Sequence, residues 1–424
     1  DRSRGLGDVY KRQVFMEVFG MDAMLEMSEN DYNKNIINTW KEFAAEGEKH
    51  KINLVLDPKK VQTKKSLLNY LIPQTQKKLK VVFLYPREPK TSAWLYSHEL
   101  GRMYLDETFS DKLETEYVAG VDENNVEQVL EDIIKAGADI VFCVGPQMMP
   151  NSLKVAVAHP EVYILNCSLN APHPYIRTYY GRMYEAKFLA GMIAGAVTDN
   201  ERVAYIADYP IYGMIANINA FALGVASVNP RAKVYLAWSK TKDYDRDKFL
   251  TENDLHYVSD QDIITPNDAS RYFGLYKIQG DQTLNLAMPI WNWGVFYEKL
   301  LQSVLAGSYK AEGQEQVKAL NYWWGMSAGV IDLICSKHVP YGVKRLADHL
   351  KSDITKGEIV PFFGKIYDQK GELKNKGEHE MKPSDIMKMD WLVDNIVGNI
   401  PPMSEFIDNA KMVVELKGVE GNKL

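Results

Sequence analysis

From residue 79 the chain alternates short, almost wholly apolar runs with longer stretches in which apolar side chains return every three or four positions. "KLKVVFLYP", "DIVFCVGP", "VYILNCS", "RVAYIADYP" and "KVYLAWS" are of the first kind. Runs that are apolar at nearly every position suit parallel strands covered on both faces. "SAWLYSHELGRMYLDETF", "NNVEQVLEDIIKAG", "EAKFLAGMIAGAVT" and "MIANINAFALGVASVNP" are of the second kind and predict helices. Strand followed by helix, repeated, predicts a doubly wound α/β architecture with right-handed crossovers. A second set of the same units begins near residue 200, so two similar lobes are expected rather than one sheet.

The N-terminal part breaks this rhythm. Residues 14–78 carry only a helical spacing, in "DAMLEMSENDYNKNIINTWKEFAAEGEKH", and read as a helical extension or a truncated upstream domain. "DRSRGLGDVYKRQ" (1–13) has no periodicity and reads as a non-native leader.

Composition narrows the function. A length of 424 residues allows two or three domains. The net charge of −6 comes from interspersed acidic and basic residues, which argues against nucleic acid as a partner. Cys143, Cys167 and Cys335 are too few for a disulfide framework and form no Cys-x-x-Cys metal site; they are expected to be buried thiols. No run of about 20 apolar residues predicts a membrane span.

In open α/β sheets ligands sit beyond the carboxyl ends of the strands. The loops at those ends are rich in aromatic residues: Tyr85, Trp94, Tyr96, Tyr209, Tyr212, Trp238, Trp291 and Trp293. Flat side chains in a cleft suit a flat ligand, since offset stacking adds about 0.5–1.5 kcal/mol per pair. Beside them, His98, Gln147, Asn217, Asp260, Asp262 and Asn292 offer polar groups for a ligand's edge, and Gly145 opens one of the same loops. Asp260 and Asp262 have the spacing of an acid/base pair, but a hydrogen-bonding loop fits better when no nucleophile or metal accompanies them. The chain carries no P-loop, no His-Glu-x-x-His and no dinucleotide turn, and its eight histidines lack metal-ligand spacing. No catalytic residue, metal or cofactor is therefore expected.

Six segments carry a resemblance. "AWLYSHELGRMYLDETF", "YYGRMYEAKFLAGMIAG", "INAFALGVASVNP", "PIWNWGVFYEKLLQSVLAG" and "PFFGKIYDQKGEL" with "MDWLVDNIVGNIP" stand in the order found in the basic membrane protein (BMP) family, which this chain resembles from about residue 79 to 404. The family consists of substrate-binding proteins of ABC importers related to purine-nucleoside receptors. The resemblance implies a type I periplasmic-binding fold: two doubly wound parallel-sheet lobes joined by three crossovers. It implies lobe one at 79–180 plus 289–345, lobe two at 181–288 plus 346–404, and a tail at 405–424. The first crossover is expected near Tyr180–Arg182 and the second at Pro289–Gly294, where the Trp-Asn-Trp serves as hinge and cleft lining.

Residue by residue, the resemblance implies that Trp94 stacks on a base. Leu95 replaces the family's asparagine, Lys277 falls near its aspartate, and Asn292 stands where the nucleoside receptors place a lysine. These departures point to a free purine base such as adenine over a nucleoside. The ligand-binding set is accordingly Trp94, Tyr96, His98, Gly145, Gln147, Tyr212, Asn217, Trp238, Asp260, Asp262, Trp291, Asn292 and Trp293. The implied partners are a small-molecule purine or nucleoside and an ABC permease, with an extracytoplasmic site of action and membrane contact only through a lipid anchor. Two other readings use the same residues: an intracellular ligand-sensing regulator and, more remotely, a nucleoside-processing enzyme.

Overall fold

In the computed structural model the described residues are 78–168, 175–211, 213–262, 270–306, 321–408 and 410–411. The expected leader at 1–13 and nearly all of the extension at 14–78 lie outside them. The first sheet takes β1 (Leu79–Tyr85), β2 (Leu113–Ala119), β3 (Ile140–Cys143), β4 (Tyr163–Cys167), β5 (Ile176–Gly181) and β11 (Asn321–Trp324), in the order β11-β5-β4-β3-β1-β2. Every neighbouring pair in it is parallel. The apolar run of β1 shows why. Val81, Phe83 and Tyr85 enter one core and Val82 and Leu84 the other, so both faces are covered. Helices α1 (Ala93–Thr108), α2 (Val126–Lys135) and α3 (Met149–Ala158) connect these strands.

The second sheet collects β6 (Arg202–Ala207), β7 (Lys233–Trp238), β8 (Tyr257–Ser259), β9 (Leu275–Gln279), β10 (Gln282–Trp291), β12 (Ile331–Cys335) and β13 (Ile396–Val397), in the order β12-β10-β9-β8-β6-β7-β13. Here the structure corrects the all-parallel expectation. The pairs β8–β9, β9–β10 and β10–β12 are antiparallel. The cause is local: β9 and β10 are joined by the two-residue turn Gly280–Asp281, and so short a link returns a strand only as a hairpin. Segment 289–345, expected as part of lobe one, is also divided, because β12 pairs into the second sheet.

Helices α4 (Tyr184–Val197) and α5 (Met214–Val228) pack closely on the second sheet. Their contact needs glycine. A Cβ on Gly191 would lie 2.0 Å from the Phe221 carbonyl oxygen, and one on Gly224 would lie 2.0 Å from that of Phe188. The polar stretch "TKDYDRDKFLTEND" holds a short helix, α6 (Arg246–Glu252), capped by Asp245, whose side chain accepts from the Lys248 N–H at 3.0 Å. After β10, α7 (Trp293–Leu305) packs on α1, and α8 (Tyr341–Lys356) packs on α4. No described helix is long and apolar enough to cross a membrane.

Candidate functional site

The chain passes between the two sheets three times. It leaves β5 through Arg182 into α4, returns from β10 through Asn292 into α7, and leaves β11 through residues 325–330 into β12. Hydrogen bonds tie these passages together. The Arg182 N–H donates to the Trp324 carbonyl at 2.8 Å, and Glu185 pairs with Arg182 at 2.9 Å while accepting the Met326 N–H at 2.6 Å. Asn292 donates its backbone N–H to Val330 O at 2.7 Å and its Nδ2 to Gly329 O at 3.0 Å. Asn292 therefore bolts the second passage to the third, and its Oδ1 is buried without a hydrogen-bond partner.

The passages flank a wall of rings. Ser92 caps α1, its side chain accepting from the Leu95 N–H, and this sets Trp94 in the first turn beyond the end of β1. Trp94 is half-buried. It meets Trp291 edge-on at 5.0 Å, Trp293 at 5.5 Å and His98 at 4.6 Å between centroids, and lies tilted on Tyr180 at 5.6 Å. Trp291 and Trp293 stack at 5.3 Å and 8°. Trp291 seats against the end of β5 because residue 181 is glycine, where a Cβ would lie 2.6 Å from the indole.

Behind the wall, His98 is fully buried. It stacks on Trp293 at 4.2 Å, its Nδ1 lies 2.6 Å from the Tyr297 hydroxyl, and its Nε2 lies 3.9 Å from Cys167 Sγ. Burial holds its pKa well below the ordinary 6.5, so it is neutral near pH 7.

On the second sheet's side the site is charged. Asp260 Oδ2 accepts from the Tyr276 hydroxyl at 3.0 Å, and that hydroxyl accepts from Arg246 at 3.0 Å. Burial raises the Asp260 carboxyl above its ordinary value, against the opposing pull of the Gln261 N–H, Tyr276 and Arg246. Asp262 forms an ion pair with Lys187, a buried residue of α4. Burial alone would lower the Lys187 ammonium, but the Asp262 carboxylate and Tyr205 outweigh it and raise it. Asp262 also lies close enough to the Tyr180 phenol to add to the upward shift that burial and Cys167 impose there.

Of the expected residues, the structure thus gathers Trp94, Trp291, Trp293, His98 and Asn292 into one cluster, while Asp262 is paired with Lys187 of α4. Tyr96 is buried in the core of the first sheet. Gly145 and Gln147 follow β3, where the Gly145 carbonyl accepts from Asn166 at 2.9 Å and Gln147 is half-buried. Asn217 is half-buried near the start of α5. Trp238 points elsewhere: it is buried in the core and donates its indole N–H to the Asn399 carbonyl at 2.9 Å, so the C-terminal segment claims it. Tyr212 lies outside the described residues.

Three contributors escape a reading by sequence: Tyr180, Lys187 and the Arg182–Glu185 clasp. Lys187 leaves a usable signal, as the lone lysine in the apolar helix "YEAKFLAGMIAGAV". Residues 325–329, "GMSAG", have the Gly-x-Ser-x-Gly spacing of a hydrolase elbow, a pattern easily passed over. The elbow's chemistry needs a strand–turn–helix setting with a histidine base. Here the segment links strand to strand, and among the described residues Ser327 is bonded by the Arg182 guanidinium at 3.2 Å and by no histidine. Also among the described residues, no group of three or more His, Cys, Asp or Glu side chains is placed to hold a metal.

The profile of the Bmp family, described as PnrA-like ABC transporter substrate-binding protein, matches residues 78–281. A purine-binding protein of Brucella abortus is 28% identical over 342 residues, covering 77% of this chain and 95% of its own. A protein of Haloferax volcanii assigned provisionally as an ABC transporter glucose-binding protein is 28% identical over 271 residues, covering 61% and 67%. Among solved structures, a solute-binding protein of an ABC transporter from Conexibacter woesei superposes with a TM-score of 0.52 at 16% identity, over 66% of this chain and 98% of its own. A transcriptional activator from Bacillus halodurans does so at 0.52 and 12%, over 66% and 99%. At such identities the superpositions establish the fold alone. Residues 78–281 thus match the Bmp family of PnrA-like ABC transporter substrate-binding proteins, and the role supported for the chain is to bind a solute.

Proposed function

We propose that this protein captures a purine base, outside the cytoplasm, between the ring wall and the charged edge, and hands it to an ABC permease without changing it chemically. The observation that carries the reading is the meeting of Trp94, Tyr180 and Trp291 at the point where the chain passes between the sheets, with the Asp262–Lys187 pair at the start of α4, the helix that follows the first passage. Each ring supplies a flat apolar face, and the carboxylate accepts N–H groups at a ligand's rim. The purine-binding relative from Brucella supports the same ligand class. Trp94 already touches Trp291 and Tyr180, so a base stacks on the free part of Trp94 rather than between two parallel rings. Closing the lobes bends the three passages, and closure is favoured only as far as the ligand gains contacts in the shut form. Asn292 takes the hinge role, its amide N–H committed to Gly329.

A sugar is the competing ligand, because the Haloferax relative carries a glucose-binding assignment and an indole face also suits a pyranose ring. A thermal-shift screen decides between them, since a ligand that binds only the native form raises the melting temperature. Adenine or guanine should raise it, and Trp94→Ala should weaken their binding about tenfold or more. Stabilisation by glucose and by no purine base or nucleoside overturns the purine reading.

A further inference from the structure

The ring wall and its charged neighbour leave one costly feature without a role. Lys187 sits in the first turn of α4, directly after the first passage between the sheets, and its side chain is 3% exposed. Removing an ammonium from water costs several kcal/mol unless a partner compensates. The compensation comes from Asp262, and from the Tyr205 ring with its centroid 5.3 Å from the Lys187 Nζ. Such a pair is weak evidence for stability, since well-packed apolar residues of equal volume usually serve as well. Its position suggests a different use. Asp262 follows β8 in a segment with no regular structure, and its side chain is 23% exposed. The carboxylate is therefore gripped from the helix side and partly open, just beyond the carboxyl end of β8, where ligands of open α/β sheets sit.

We propose that Lys187 is a positioning residue for ligand recognition: it fixes the Asp262 carboxylate at the end of β8, where α4 leaves the first passage, so that the open side of that carboxylate accepts an N–H from the rim of the bound heterocycle. This rests on the purine reading and extends it to the ligand's edge. An ionised carboxylate only accepts hydrogen bonds. A base with an exocyclic amine there is matched, whereas one with no donor leaves a desolvated carboxylate unpaired, a mismatch that binding sites penalise strongly. Lys187 need not touch the ligand. It removes the freedom of Asp262 to swing away and keeps its charge in place.

The test is a double-mutant cycle by isothermal titration with adenine and with unsubstituted purine, using Lys187→Met, Lys187→Arg, Asp262→Asn and the Lys187→Met/Asp262→Asn double variant. Lys187→Met should weaken adenine about tenfold or more and shrink the preference for adenine over purine. The double variant should bind no worse than Asp262→Asn alone, because both changes remove the same interaction, and Lys187→Arg should recover most of the affinity. Additive losses in the double variant, or wild-type affinity in Lys187→Met, overturn the proposal. Should Lys187→Met fail to fold by circular dichroism, the double variant, which buries no unpaired charge, carries the test: adenine affinity well below that of Asp262→Asn overturns it. If the wild-type protein binds no purine at all, the preceding reading fails by itself. The cycle is then run with glucose, where additive losses overturn this proposal separately.

Discussion

The two sheets bring different materials to the region where the chain passes between them. The first sheet is wholly parallel and delivers rings: Trp94 at the head of α1 and Tyr180 at the end of β5, backed by the buried His98 and Tyr297. The second is half antiparallel and delivers charge: Asp260 tied to Tyr276 and Arg246, and Asp262 tied to Lys187. The difference reflects how each chemistry is held still. A ring is fixed by packing on other rings, which a parallel sheet covered by helices supplies. A carboxylate in a cleft is fixed by counter-charges and donors, which irregular segments after short strands can bring to it. Trp291, from the second sheet, is the exception that seals the two materials together by seating on Gly181 of the first.

The contrast breaks most visibly at the tryptophans. Trp293 is fully buried and Trp94 only half, so Trp293→Ala should cost about 3–5 kcal/mol of stability, while Trp94→Ala should cost no more than about 2 and act on ligand affinity instead. Urea denaturation of both variants, beside titrations with adenine, checks the split. Equal stability losses would mean that Trp94 is a core residue.

His98 sharpens it next. Its folded pKa lies well below 6.5, so between those two values the unfolded chain binds more protons than the folded one. Stability attributable to His98 is then full above pH 6.5 and falls on acidification by up to about 1.4 kcal/mol per pH unit. A His98→Gln variant should lose that part of the slope in denaturation curves taken between pH 7 and 5.

Asp260 should behave in the opposite sense and more weakly. Its folded pKa is raised above 3.8, so the folded form binds the extra proton and stability declines as pH climbs through that window. Asp260→Asn should flatten this decline and change stability at pH 7 by no more than about 1 kcal/mol. An undiminished slope in the variant would remove Asp260 as its source. The smallest effect concerns the first sheet's core. Burial pushes the Cys143 thiol up to about 12, so an aromatic disulfide reagent at pH 8 should leave it unlabelled in the native protein and label it once urea is added.

How much of this was legible beforehand differs between fold and site. The strands "KVVFLY" and "DIVFC" and the helices between them declare themselves through local periodicity. The two-residue turn in "IQGDQT" is an equally local signal of a hairpin, which a reading by alternating strands and helices does not register. Trp94 and Trp-Asn-Trp stand out as large rings at strand ends. Trp238 has the same signature but a different fate, because only the folded chain brings Asn399 to its indole. Lys187 and Asp262 are far apart in sequence, and neither shows alone that the other neutralises it.

By itself, then, the sequence determined the alternation of elements, the existence of two lobes and the supply of rings at the cleft, since each follows from residues close along the chain. The tertiary structure alone decided which rings share a wall, where the second sheet turns antiparallel, how Asn292 and Arg182 lash the passages together, and that Lys187 grips Asp262. Those outcomes depend on contacts between distant segments, whose free energy exists only once the loops between them have closed.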